Sequence, residues 1–241
     1  MLITIKAQLF KPQLLLDNRP SFVSFLKHAF QEYDPKMYQR YYDNRRNQLK
    51  GFCFSIRLNN PQFNTENISL ADSNLVWNIG TADLAEGIEI YNAITKQRNK
   101  PYPFPCGNSL TVSDVSIRNH KPITSDTICI KMLSPLLVRK HDDETMEDFY
   151  YLAPTDSEFQ HCFKQSVATE VSILSPTLPS DIEIIPITPT VTTVHTFEHS
   201  CTACLGTYVL KGKPELLNML YQSGIGARRS QGHGMFEVIH I

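Results

Sequence analysis

Between Gly224 and Gly234 the chain reads Gly-Ile-Gly-Ala-Arg-Arg-Ser-Gln-Gly-His-Gly and holds four of its 10 glycines. Arg228, Arg229, Ser230 and His233 lie among Gly224, Gly226, Gly232 and Gly234, and no acidic residue occurs between Glu215 and Glu237. Glycine concentrates where backbone must turn tightly or approach a ligand closely. Cationic side chains set among such glycines suit an anion, above all a phosphate chain. Another basic group, Arg40, Arg45 and Arg46, is interleaved with Tyr41 and Tyr42 and reads as phosphate contacts; a solvated charge run is the plain alternative. His28 sits on the flank of an apolar helical stripe, with Lys27 on the opposite flank. Histidine is the side chain suited to move a proton near neutral pH, and a solvated histidine with no role is the competing reading.

The elements around the glycines decide what they can hold. Leu216, Leu217, Met219, Leu220 and Tyr221 predict a helix before them, with Pro214 in its first turn, and Met235 to Ile241 predicts a strand after them. Phosphate loops and dinucleotide fingerprints run the other way, strand to glycines to helix, with the helix N-terminus facing the phosphate. Here the helix presents its negative end, which sets both motifs aside. Successive backbone N–H groups in tight turns can still cradle an anion. A helix cap with Gly224 in the left-handed region accounts for one or two glycines and leaves the others unexplained. Cys201 and Cys204 form a lone CxxC near His199 with no second pair, so packed thiols are favoured over zinc.

The chain has 241 residues, 41% hydrophobic and 20% charged, a globular composition with room for one large domain or two ordinary ones. A net charge of −1 excludes a uniformly basic coat but not a local patch. Acids gather over 142–148, which reads as an exposed turn, and bases at 40–50 and 228–229. No apolar run approaches the length of a membrane span, the start lacks the pattern of a signal peptide, and the 6 cysteines are scattered. These features point to a cytoplasmic protein with reduced thiols that does not engage a membrane.

Residues 1–10 alternate as a strand. Phe22, Phe25, Leu26, Ala29 and Phe30 repeat at helical spacing up to Asp34-Pro35. Strands are predicted over 52–58, 74–79 and 112–117, with a helix from Thr81-Ala82-Asp83 to about Gln97. The order is βαββαβ, the ferredoxin-like pattern. The second half repeats it: a strand over 127–137 in a hairpin with 150–152, a helix over 154–171, extended segments at 182–187 and 191–197, a strand over 202–210, then the helix, glycines and last strand. The fold class expected is α+β, two tandem ferredoxin-like domains spanning 1–120 and 121–241, with a C-terminal glycine-rich loop.

The segment Gly232-His233-Gly234-Met235 resembles the Gly-Phe-Gly-Met that closes the glycine-rich motif of the RAMP superfamily, with His233 where the aromatic usually stands. Asp34-Pro35-Lys36 with Leu49-Lys50-Gly51-Phe52-Cys53-Phe54-Ser55 is similar to the approach to the second strand in its CRISPR-associated endoribonucleases, which cut precursor CRISPR RNA within each repeat. Leu133-Ser134-Pro135-Leu136-Leu137-Val138 resembles the strand opening their second half. The resemblance covers nearly the whole chain. It implies cleavage without metal or cofactor: the 2'-hydroxyl attacks the neighbouring phosphate, leaving a 2',3'-cyclic phosphate and a 5'-hydroxyl. A proton must leave the 2'-oxygen, another must reach the 5'-oxygen, and a cation must stabilise the phosphorane.

The family's frequent set is a Tyr on the first helix, a His after it and a Lys before the second strand. Lys50 matches the Lys, Tyr42 stands at the His position, and Lys27 stands at the Tyr position with His28 beside it. The implied catalytic residues are therefore His28, Lys50, Tyr42 and Lys27, with the glycine segment and Arg40, Arg45 and Arg46 holding RNA. The implied partner is CRISPR repeat RNA. Other subunits of a CRISPR effector complex and a homodimer are left open. A superfamily member that holds CRISPR RNA without cutting it is the alternative reading, and a generic RNA-binding module the third.

Overall fold

A computed structural model describes residues 1–43, 49–140, 150–196 and 199–240. The chain begins with β1 (Leu2–Leu9), β2 (Gln13–Leu15), α1 (Arg19–Tyr33), a single turn α2 (Pro35–Tyr38) and a π-helical stretch, Gln39–Asp43. It continues through β3 (Phe52–Leu58), β4 (Gln62–Phe63), β5 (Asn67–Ser69), β6 (Asn74–Thr81), α3 (Leu84–Thr95), β7 (Pro101–Phe104) and β8 (Asn108–Arg118). The second half holds β9 (Thr127–Met132), β10 (Val138–Lys140), β11 (Tyr150–Leu152), α4 (Phe159–Leu174), β12 (Ile182–Thr196), β13 (His199–Gly212), α5 (Pro214–Ser223), a 3-10 turn (Arg229–Gln231) and β14 (Phe236–His240).

The first antiparallel sheet runs β3-β6-β1-β8-β7 and the second β12-β13-β9-β14. Taking the four main strands of each half in chain order, both sheets read 2-3-1-4, the ferredoxin-like order. The expected doubled fold is therefore present. Each sheet has its own core. In the first, α1 lays Phe22 and Phe25 edge-on against Trp77 at 5.2 and 5.7 Å between ring centroids, and Phe54 meets the same indole at 5.6 Å. In the second, Ile128 and Ile130 of β9 pack with Phe163 and Val167 of α4 and Leu216 and Leu220 of α5. The halves join where Leu2, Cys53 and Met235 cluster with Leu133 and Tyr221.

Local chemistry explains the boundaries near the site. Pro20 lies in the first turn of α1. Asp34 is extended, φ −153°, and its carboxylate accepts from the Lys36 N–H at 3.0 Å, so it ends α1 and starts α2. Asp83 caps α3 by accepting from Ala85 and Glu86 N–H at 2.8 and 3.2 Å.

Several expected boundaries shift. β9 stops at Met132, because Ser134-Pro135 breaks the ladder and the Leu133 and Ser134 N–H groups turn to the Met235 carbonyl. The hairpin partner of 150–152 is accordingly β10, not the strand over 127–137. α4 begins at Phe159, after turns in which Asp156 accepts from the Ala153 N–H. β12 is continuous through Pro186 and Pro189, as a sheet-edge position permits, with a register shift between Pro186 and Thr188. The acidic segment 142–148 lies outside the described residues.

Candidate active site and nucleic-acid interface

The turn after α1 brings two lysines onto one aromatic ring. Lys27 Nζ lies 5.3 Å from the Tyr42 ring centroid, and Lys50 Nζ lies 4.8 Å from it. Tyr42 is held by Phe30, 6.0 Å away, and by Tyr38, 5.8 Å away. Both contacts follow from the π-helical stretch, which turns Tyr41 and Tyr42 together towards Phe30. Burial, then Tyr38, holds the Tyr42 phenol protonated well above the ordinary tyrosine range. Burial, then the Lys27 charge, lowers Lys50. Neither lysine makes an ion pair among the described residues. Two like charges held beside one ring, with Lys50 partly desolvated, are an arrangement that an anion relieves.

Lys50 also lines a cleft of about 560 Å³ between the halves, with Tyr41, Glu86 and Glu89 on one wall and Leu174 and Ser175 of the second half on the other. Tyr41 donates its hydroxyl proton to Glu86 Oε1 at 2.7 Å; burial, followed by this carboxylate, raises its pKa. Arg40 stacks on Tyr41 at 5.3 Å and pairs with Glu89 at 2.5 Å. That pair is solvent-facing and hence weak enough to exchange for a phosphate. Arg45 and Arg46 lie outside the described residues.

His28 does not join the lysines. It is exposed and stacks on Tyr102 of β7, 5.1 Å between ring centroids. β7 and β3 are opposite edges of the five-stranded sheet, four inter-strand spacings or about 19 Å apart. The two flanks of the α1 stripe thus face different edges, and His28 takes the one away from Lys50.

The glycine segment is packed more deeply than a ligand loop requires. All four glycines have positive φ, +80° at Gly224, +79° at Gly226, +90° at Gly232 and +72° at Gly234. Gly224 has ψ −179°, so it lies outside the left-handed helical region. A Cβ on Gly224 would meet Cys53 at 2.7 Å, on Gly226 Leu137 O at 2.6 Å, on Gly232 the Phe54 ring at 2.6 Å and on Gly234 Ile225 O at 1.8 Å. The glycines therefore let protein meet protein, Gly224 and Gly232 at the seam between the halves and Gly226 and Gly234 within the second half, rather than backbone meet phosphate.

Arg229 is 4% exposed and is taken up internally, pairing with Glu170 (2% exposed) and donating to Ser223 O at 2.9 Å. Burial raises Glu170, and Arg229 and Ser223 oppose that rise. His233 is fully buried, and burial with the Arg19 and Arg228 charges keeps its ring neutral. The expected phosphate contacts at Arg229 and His233 are thus replaced by internal packing. Arg228 and Ser230 remain half-exposed. Arg228 is left-handed, φ +56° and ψ 32°, with its guanidinium 5.8 Å from the Tyr151 ring.

Arg19 and Glu86 were missed by sequence reasoning. Arg19, at the start of α1, donates from Nε to Gly232 O at 3.2 Å, and burial lowers it to about 10. Its position beside a helix-opening proline was the only signal. Glu86, three residues after Asp83, reads as an ordinary capping residue. Cys201 and Cys204 pack into different apolar clusters, consistent with thiols in the core.

Residues 117–238 match the model of a family described as CRISPR associated protein Cas6, C-terminal. No curated protein matches the chain. Among solved structures, a RAMP protein described as binding different RNA substrates superposes with a TM-score of 0.86 at 18% identity, over 100% of each chain. A Cas6-related protein from Pyrococcus furiosus gives 0.87 at 18% identity, over 99% of this chain and 98% of that one. A CRISPR associated protein Cas6 gives 0.79 at 16% identity, over 100% of this chain and 99% of that one. At such identities the likeness carries the fold.

Proposed function

This chain belongs to the Cas6 family of CRISPR RNA-processing proteins, and on that premise we propose that it is a metal-independent endoribonuclease cutting precursor CRISPR RNA within its repeats. Residues 1–120 and 121–241 are its two domains. In the reaction the 2'-oxygen bonds to phosphorus while the bond to the 5'-oxygen breaks. The 2'-hydroxyl proton passes to solvent, and the departing 5'-oxygen takes one up. The products are a 2',3'-cyclic phosphate and a 5'-hydroxyl.

The observation that carries this reading is the convergence of Lys27 and Lys50 on the Tyr42 ring. Lys27 supplies charge to the phosphorane. Lys50, whose proton burial and Lys27 loosen, stabilises the same charge and hands a proton to the leaving oxygen. Tyr42, held as a neutral phenol, orients both ammonium groups. Arg40, Arg228 and Ser230 contact the RNA backbone.

The alternative is an RNA holder without strong cleavage. It is favoured by the position of His28, which stacks on Tyr102 rather than on the Tyr42 ring that the lysines share. Repeat RNA incubated with the protein in EDTA separates the two. A cut ending in a 2',3'-cyclic phosphate is the expected result. Tight binding with no cut overturns the nuclease reading in favour of the holder.

A further inference from the structure

Glu86 is a carboxylate in an unusual position for a helix that needs only to pack. It is 9% exposed and makes no ion pair among the described residues. Burial raises its pKa, and hydrogen bonds from Thr81 and Tyr41 oppose the rise. An unpaired acid so placed costs stability unless its hydrogen bonds are complete, and an apolar side chain would serve packing as well.

Its partners show what it holds. A Glu three residues after an N-cap commonly folds back on the cap's N–H, but here the Asp83 N–H goes to Thr81 Oγ1 at 3.2 Å. The carboxylate is thereby released to neighbours. Oε1 accepts the Tyr41 proton at 2.7 Å, and Oε2 accepts the Thr81 hydroxyl. A Cβ on Gly51 would lie 2.7 Å from Oε2, so the Gly51 backbone rests directly on the same oxygen. Tyr41 precedes Tyr42, and Gly51 follows Lys50. One carboxylate therefore touches the chain immediately before the ring and immediately after the lysine that meets it.

We infer that Glu86 is a positioning residue that fixes Tyr41 and Gly51, so that Lys50 and Lys27 converge on the Tyr42 ring. This rests on the reading of Lys50 given above. Glu86 touches no reacting atom and acts through its two neighbours.

The test is single-turnover cleavage of repeat RNA by saturating protein, with the RNA Kd measured alongside. Glu86→Ala is expected to cut at least about tenfold more slowly, with Kd within about twofold. Glu86→Gln keeps an oxygen for the Tyr41 proton and is expected to recover the rate to within about threefold. In a Lys50→Ala background, Glu86→Ala is expected to slow cleavage no further, because both changes remove one arrangement. Equal slowing in both backgrounds marks a merely structural role and overturns the inference.

Tyr41→Phe removes a single hydroxyl and covers the case in which Glu86→Ala melts. Wild-type cleavage by Tyr41→Phe overturns the inference as surely as wild-type cleavage by Glu86→Ala. If Lys50→Ala abolishes cutting while these variants cut normally, this inference falls alone. If Lys50→Ala itself cuts normally, the reading of the site falls and takes this inference with it.

Discussion

Two basic regions of the molecule invite comparison, the lysine pair around Tyr42 and the glycine-rich segment before the last strand. By residue type alone the glycine-rich segment is the richer, with two adjacent arginines and a histidine among glycines. In three dimensions the ranking reverses. Arg229 is neutralised by Glu170, His233 is buried and neutral, and the glycines admit Cys53, Leu137, Phe54 and Ile225. The lysines, in contrast, share one ring, and Lys50 lines an open cleft. The lesson is that a cation's availability depends on what faces it, and facing groups are distant in sequence. Glu170 is 59 residues from Arg229.

The comparison breaks most visibly at Glu170. Glu170→Ala leaves Arg229 buried without its counter-charge and is expected to cost about 3–5 kcal/mol of folding stability, read by urea denaturation. A loss below about 1 kcal/mol would mean that Arg229 is available to a ligand after all.

Lys50→Ala is expected to slow cleavage about 10²-fold, near 2.7 kcal/mol of transition-state stabilisation, while stability shifts by less than about 1 kcal/mol. The same lysine is expected to set the alkaline limb of the pH–rate profile. Because its pKa is lowered, the protonated form is lost as pH rises, earlier than for an ordinary lysine. The rate should therefore fall below the usual lysine range, and Lys50→Arg should move that fall upward.

Arg228 sharpens the contrast within the glycine segment, since it adopts a backbone conformation that glycine adopts freely. In Arg228→Gly, relief of about 1 kcal/mol of left-handed strain is offset by the added flexibility of the unfolded chain. Stability should stay within about 0.5 kcal/mol, while the log–log salt slope of RNA binding flattens by about 0.7. The smallest effect is expected at His28. His28→Ala should change the cleavage rate less than about twofold, and a tenfold loss would bring the Tyr102 edge into the site.

The elements were largely legible because they rest on local patterning. Phe52 to Leu58 forms the strand predicted there, and the stripe from Phe22 to Phe30 forms the buried face of α1. β7 escaped notice because Pro-Tyr-Pro-Phe reads as a breaker, although a sheet edge tolerates it. At the site, the opposite flanks of Lys27 and His28 follow from helical periodicity. Which flank faces Lys50 does not, because it depends on where β3 enters the sheet. The burial of Arg229 was equally hidden, being set by α4.

The hydrogen bond from Arg19 to the Gly232 carbonyl has one further consequence. The helix that begins at this anchor carries Lys27 eight residues later, a rise of about 12 Å along a rigid axis. On the proposed reading α1 acts as a ruler, with its first residue pinned to the glycine turn and Lys27, partway along it, offered to the phosphate. A strand gripped at both ends would be cut at a distance counted in helical residues. One residue inserted between Arg19 and Lys27 would swing the lysine about 100° off the ring and lose the measure altogether.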